Sequence, residues 1–341
     1  MKPPALMACA LACVLSAAPL QASDTDPSPS VTAGGLMFGD FYYVGSNHLP
    51  GSEGARGVVL RRGYLTLNFK FSQSAFGRAR LEANQSGEFE TYDFDVRFKD
   101  LYAGWNLGRH KVLLGLAPTP TFDLIESIWG ARYLARTPLD LQGVPSRDTG
   151  ISARGPLNRA GSINYRVMAG AGIDFGADSN DEEQRWMGAV SWSPAPGWVL
   201  DFYSDYNETS GRADRLTLQG FISYQSESYR WGAQYAHQDR QDEPPLELAS
   251  AFLVADLPSG FSLIGRVDRL FEPSPRGNDI SYIPFDPSAP ATLFIGGAEF
   301  QISPHVTMTP NVLYTRYDVN DAGVRPQDDL QLRLTLFLDF E

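Results

Sequence analysis

Apolar and polar residues alternate along much of this chain. The clearest run spans Leu330 to Phe340, where Leu330, Leu332, Leu334, Leu336, Leu338 and Phe340 take every second position. Gln331, Arg333, Thr335 and Asp339 lie between them, and only Phe337 breaks the pattern. Successive side chains of a strand point to opposite faces, so this spacing predicts one apolar and one polar face. In Leu60–Phe71 the set Gly63, Leu65, Leu67, Phe69 and Phe71 opposes Arg62, Tyr64, Thr66, Asn68 and Lys70. In Gly77–Asn84, Gly77, Ala79, Leu81 and Ala83 oppose Arg78, Arg80, Glu82 and Asn84. Trp198–Asn207 repeats the division, with Asp201, Tyr203, Asp205 and Asn207 on its polar side.

Read this way, the sequence predicts strands near 35–44, 59–71, 76–86, 94–107, 110–117, 147–155, 162–174 and 185–194. Eight more are expected near 197–207, 214–225, 229–239, 248–257, 260–270, 292–302, 305–317 and 328–340. Short turns at Ser72–Ala75, Gly108–Arg109, Leu157–Gly161, Pro194–Pro196, Ser226–Ser228, Pro258–Ser259 and Ser303–Pro304 alternate with longer loops. The longer ones fall at 45–58, 87–93, 118–146, 175–184, 208–213, 240–247, 271–291 and 318–327. An even number of strands, with short turns at one rim and long loops at the other, is the pattern of outer-membrane barrels. The expected fold is all-β: a sixteen-stranded antiparallel transmembrane β-barrel with an inward-folded long third loop. Its polar face carries so many long charged side chains that a water-filled lumen suits it better than a dry core.

The N-terminus supports a membrane destination. Lys2, the apolar run Ala5–Leu20 and the small residues around Gln21-Ala22-Ser23 have the layout of a cleaved secretory signal. The expected organisation is a signal peptide over 1–22, a flexible leader over 23–34 and the barrel over 35–341. A lipoprotein reading of Leu6-Met7-Ala8-Cys9 is the alternative. Both cysteines, Cys9 and Cys13, lie in the signal, so the mature chain is expected to hold no disulfide or thiolate ligand. No later stretch reaches the length of a membrane-spanning helix. A closed sheet can still cross, since it satisfies every backbone group internally.

The longest loop, Pro118–Ser146, is patterned. Leu124, Ile125, Ile128 and Trp129 would share one face of a short helix, with Asp123 and Glu126 spaced like a capping pair and Pro138 limiting its extent. An amphipathic helix inside a loop needs a surface to lie on. The inner barrel wall is one candidate, and an ordinary outer lid is the other.

The stretch from Phe98 to Gly155 resembles the phosphate-selective porin group of sixteen-stranded outer-membrane porins. The likeness is carried by Lys99-Asp100-Leu101-Tyr102, Gly115-Leu116-Ala117-Pro118, Arg147-Asp148-Thr149-Gly150 and the earlier Arg61-Arg62-Gly63-Tyr64. It implies a trimer of passive, water-filled channels, each narrowed by its third loop. The implied partners are outer-membrane lipid, lipopolysaccharide and small hydrophilic solutes, within a homotrimer.

Charge bears on selectivity. The chain has 28 Lys and Arg against 40 Asp and Glu, a net of −12, which disfavours nucleic-acid binding. Residues 40–166 hold 16 bases and 12 acids, whereas residues 167–341 hold 11 and 26. Arg62, Lys70, Arg78, Arg80 and Arg97, with Arg154 as a further candidate, could therefore form one side of a pore constriction, with Asp123, Glu126, Arg132 and Arg136 of the loop facing them. Opposed charges at a narrow point bias ion choice. The early arginines favour anions such as phosphate, while Asp201, Asp205, Asp268, Glu299 and the acidic run Asp178–Glu183 oppose that preference.

Other functions find less support. Four histidines, His48, His110, His237 and His305, share no segment with a convincing nucleophile and acid, so a barrel hydrolase is the weaker reading. A barrel with a plugged lumen in a structural or adhesive role is the other alternative. No cofactor or metal motif is present, and the expectation is no enzyme. Gly34-Gly35 and Gly296-Gly297 read as barrel kinks or packing sites.

Overall fold

A computed structural model describes residues 28–85, 94–172, 184–208, 214–241 and 243–340. Its first eight strands are β1 (Ser30–Ser46), β2 (Arg56–Lys70), β3 (Ala75–Gln85), β4 (Phe94–Leu107), β5 (His110–Pro118), β6 (Arg147–Pro156), β7 (Ile163–Gly170) and β8 (Gln184–Trp192). The second eight are β9 (Trp198–Glu208), β10 (Arg215–Gln225), β11 (Tyr229–Asp239), β12 (Leu246–Asp256), β13 (Phe261–Leu270), β14 (Ala291–Ser303), β15 (Val306–Tyr317) and β16 (Asp329–Phe340). Each pairs antiparallel with its sequence neighbours, and β1 pairs with β16 to close the barrel.

The two faces are inverted relative to a water-soluble protein. Val58, Leu65, Phe202 and Leu332 are exposed on the outside, Phe202 by 65%. Thr66, Glu82, Asp100, Asp201, Asp205 and Thr335 are buried on the inside. A barrel that hides its carboxylates and displays its leucines is built to sit in lipid.

At the closing seam Phe340 pairs with Gly35. A Cβ on Gly35 would stand 2.5 Å from the Tyr64 carbonyl oxygen and 2.6 Å from the Phe340 ring. The terminal aromatic thus covers a bare stretch of backbone, so Gly35 is a packing site. The tight Leu107–His110 hairpin turns through Gly108, whose φ of +62° is unfavourable for a side-chain-bearing residue.

Two bulges reshape the interior. Between Phe38 and Asp40 the partner positions on β2 run from Arg62 to Val59, one residue more than β1 spends. A second bulge lets Asp100 pair with Arg80 and Phe98 with Leu81, leaving Lys99 as the extra residue. A bulge reverses the in–out alternation. Arg61 and Arg62 consequently both reach interior partners, as do Lys99 and Asp100.

Between β5 and β6 lie α1 (Phe122–Trp129) and the single turn α2 (Pro138–Leu141). Phe122, Ile125, Ile128 and Trp129 are the buried residues of α1, with Leu124 only partly so. The expected capping pair does not form, because Thr121 occupies the N-cap and makes no side-chain cap bond. Arginines take both carboxylates: Asp123 meets Arg154 at 3.2 Å and Glu126 meets Arg132 at 2.5 Å. Gly130, at φ +69°, ends α1 with its N–H donating to the Glu126 carbonyl.

Candidate pore constriction

The segment from Pro118 to Ser146 is fastened to interior side chains of strands all round the barrel. Four arginines from strands that do not adjoin it donate to its backbone carbonyls. Arg61 of β2 reaches Tyr133 and Leu134, and Arg166 of β7 reaches Pro120 at 2.9 Å. Arg230 of β11 reaches Trp129 at 3.3 Å, and Arg266 of β13 reaches Arg136 at 2.7 Å. The Tyr133 hydroxyl donates to Glu299 of β14. Charge-assisted bonds of this kind are roughly twice as strong as neutral ones.

Apolar packing reinforces them. Trp129 stacks edge-on against Phe252 of β12 with centroids 5.1 Å apart, and the Arg266 guanidinium lies 5.0 Å from its ring centre. Ile125, Ile128, Leu134, Leu139 and Leu141 join a buried cluster with Phe221, Leu248, Ile264 and Leu293. The loop between β13 and β14 joins the same cluster through Ile280, Ile283 and Phe285, and Ser274 donates to Gln142 at 2.7 Å.

A cavity of about 440 Å³ remains beside α1. Six cationic side chains line it: Arg78 and Arg80 of β3, Lys99 of β4, Arg147 and Arg154 of β6, and Arg132 of the loop. Its only lining carboxylates among the described residues are Asp123 and Glu126 of α1.

Pairing decides which of these charges stays effective. Fully buried Glu82 is shared by Arg97 at 2.8 Å and by Arg62 and Lys99 at 3.5 Å each. Asp100 holds Arg147 at 2.5 Å and Arg80 at 3.6 Å. Arg78 has only a neutral partner among the described residues, the Asn68 side-chain oxygen at 2.8 Å. In the loop, Asp140 takes Arg132 at 2.7 Å and Arg136 at 3.8 Å. Burial works to raise the Asp140 carboxyl, but the two arginines overcome it and hold the group well below the ordinary carboxylate range.

The structure therefore gathers Arg78, Arg80, Asp123, Glu126 and Arg132 around one space. Arg62 and Arg136 line a smaller adjoining cavity with Arg61 and Arg132. Arg97 stands outside both linings, beside Glu82, and Lys70 is exposed at the last position of β2, paired with Phe76. Sequence reasoning left Lys99 and Arg147 out of the candidate set, although both lie in the resembling segments. Lys99 was hidden by the β4 bulge.

Three of the four later acids pair with arginines, whereas Glu299 accepts from the neutral Tyr133 hydroxyl. Asp201 pairs with Arg166 at 2.5 Å, Asp205 with Arg185 at 3.0 Å and Asp268 with Arg266 at 2.5 Å. The acidic segment Asp178–Glu183 lies outside the described residues.

A closed sixteen-stranded barrel with an apolar exterior and a charged interior is the porin fold. No protein-family profile matches the sequence, and no curated protein does. Solved structures do match. An anion-selective porin from Comamonas acidovorans superposes with a TM-score of 0.66 at 15% identity, covering 92% of this chain and 100% of that one. OmpF of Salmonella typhi in complex with daunomycin gives 0.63 at 11%, covering 91% and 97%. The trimer form of OmpT, an outer membrane protein of Vibrio cholerae folded in vitro, gives 0.60 at 11%, covering 92% and 100%.

Proposed function

We infer that the protein is a passive diffusion porin of the outer membrane that favours small hydrophilic anions. The loop over 118–146 crosses the lumen and leaves a passage between α1 and the wall formed by β16 and β1–β6. Six cations line that passage, and they outnumber its acids even when Glu82, Asp100 and Asp140 behind them are counted with Asp123 and Glu126; that excess carries the reading. Fixed charges at a constriction raise the local concentration of the opposite sign. The mechanism contains no covalent step, and the protein is not an enzyme. The pairing of the late acids supports anion preference despite the chain's net charge of −12. The trimeric neighbour supports assembly as a homotrimer. On the sequence pattern, residues 1–22 are a signal removed after export, and the barrel sits among lipid and lipopolysaccharide.

One observation favours a second reading. The apolar cluster from Trp129 to Phe285 fills much of the interior beside β10–β15, as a plugged barrel would require. Liposome swelling with sugars of increasing size separates the two. A porin admits the smallest sugars and excludes larger ones, whereas a plugged barrel admits none.

A further inference from the structure

Phe337, the residue that breaks the C-terminal alternation, lies on the interior face. It pairs across the seam with Phe38, their ring centroids 6.5 Å apart, and its ring lies 5.2 Å from that of Tyr133 in the loop. With Leu36 on β1, these residues form an apolar strip on the wall of the same cavity that the cations line. Phe38 is 5% exposed and lies under the Arg61 guanidinium, so its part is packing. Leu36 and Phe337 are only partly buried and present apolar surface to the passage. A channel for inorganic ions alone gains nothing from such surface.

The strip and the cations are neighbours. Leu36 pairs with Tyr64 on β2, and the Arg80 guanidinium lies 5.4 Å from the Tyr64 ring centre. Adjacent strands are about 4.8 Å apart, so the backbones of β1 and β3 stand about 10 Å apart. Long arginine side chains shorten that gap to the length of a ring bearing a carboxylate.

Resting on the anion-conducting reading above, we propose that this part of the passage is a transient binding site for aromatic monocarboxylates. The ring lies on Leu36 and Phe337, and the carboxylate meets Arg78 and Arg80. A guanidinium recognises a carboxylate in a paired geometry, and the ring leaves water on reaching the strip. The contact remains weak enough for release, as conduction demands.

The test uses the purified full barrel in planar bilayers carrying a chloride current. Benzoate and acetate are added in turn, and the concentration giving half-block is recorded for each. Benzoate should half-block at a concentration about fivefold lower than acetate, the scale expected for about 40 Å² of apolar contact. The ratio should fall toward one in Phe337→Ser and in Leu36→Thr. Taking it within each protein cancels any change in conductance, and Leu36→Thr carries the test should Phe337→Ser not fold. Equal half-block in the unmodified channel, with its chloride preference intact, would overturn the proposal while leaving the porin reading standing. An undiminished ratio in both variants would also overturn it. A channel that prefers potassium would remove the underlying reading as well.

Discussion

Arg78 and Asn68 pair across β3 and β2, and the guanidinium Nε donates to the amide oxygen at 2.8 Å. Arg78 thereby reaches the cavity with its charge uncancelled, unlike Arg62, which shares Glu82. Arg78→Ala should lower the chloride-to-potassium permeability ratio about threefold, and Arg62→Ala by much less. The estimate takes about 0.6 kcal/mol as the summed effect of one unit charge on the two ions, favourable to chloride and unfavourable to potassium, across a wet passage. Reversal potentials of the two variants in the same salt gradient provide the comparison.

Trp129 ties the loop to the wall through the Phe252 ring, the Arg266 guanidinium and its own Nε1–H, which donates to the Ala135 carbonyl at 2.9 Å. Trp129→Ala removes a fully buried indole, a loss of about 3–5 kcal/mol. That penalty should fall on the loop, because the barrel's strand ladders do not pass through Trp129. Single-channel recordings should show larger, noisier currents, while the folded band on a heat-modifiability gel persists.

The depressed Asp140 carboxyl gives a pH prediction with a definite sign. A group whose folded pKa lies below its unfolded value stabilises above the ordinary carboxylate range and loses that effect only as pH falls through the folded value. The loop anchorage supplied by Asp140 should therefore hold from pH 7 down to about pH 4. A spin label at Ser127→Cys, which the cysteine-free barrel allows, should keep the same mobility over that interval. Asp140→Asn should mobilise the label even at pH 7.

Gly35→Ala places its Cβ against the Tyr64 carbonyl and the Phe340 ring, and backbone cannot yield as a side chain can. A cost of about 1–3 kcal/mol at the seam is expected, lowering the unfolding temperature on the heat-modifiability gel. Gly265→Ala meets nothing within 4 Å and should leave that temperature unchanged.

The strands were largely legible because lipid imposes strict alternation on every one. β4 and β11 run over the same residues that the pattern indicates, 94–107 and 229–239. The clustering of Arg78 and Arg80 near α1 could be anticipated for the same reason. Arg61 and Lys99 could not, since each owes its interior position to a bulge, and alternation alone does not say which residue of a phase change turns inward. The neutralisation of Asp201, Asp205 and Asp268 depends on cross-strand or near-neighbour arginines. Counting charges by chain half conceals such pairs. Phe337 stood out in the sequence only as an irregularity, and its meaning required the register with β1.

On the proposed reading, net positive charge at the passage sets ion preference against a chain of net charge −12. The most direct test is the reversal potential of the purified full barrel under a tenfold potassium chloride gradient. The predicted sign is the one in which chloride crosses more readily than potassium, with the preference shrinking as salt screens the wall. A potential of the opposite sign would contradict the account.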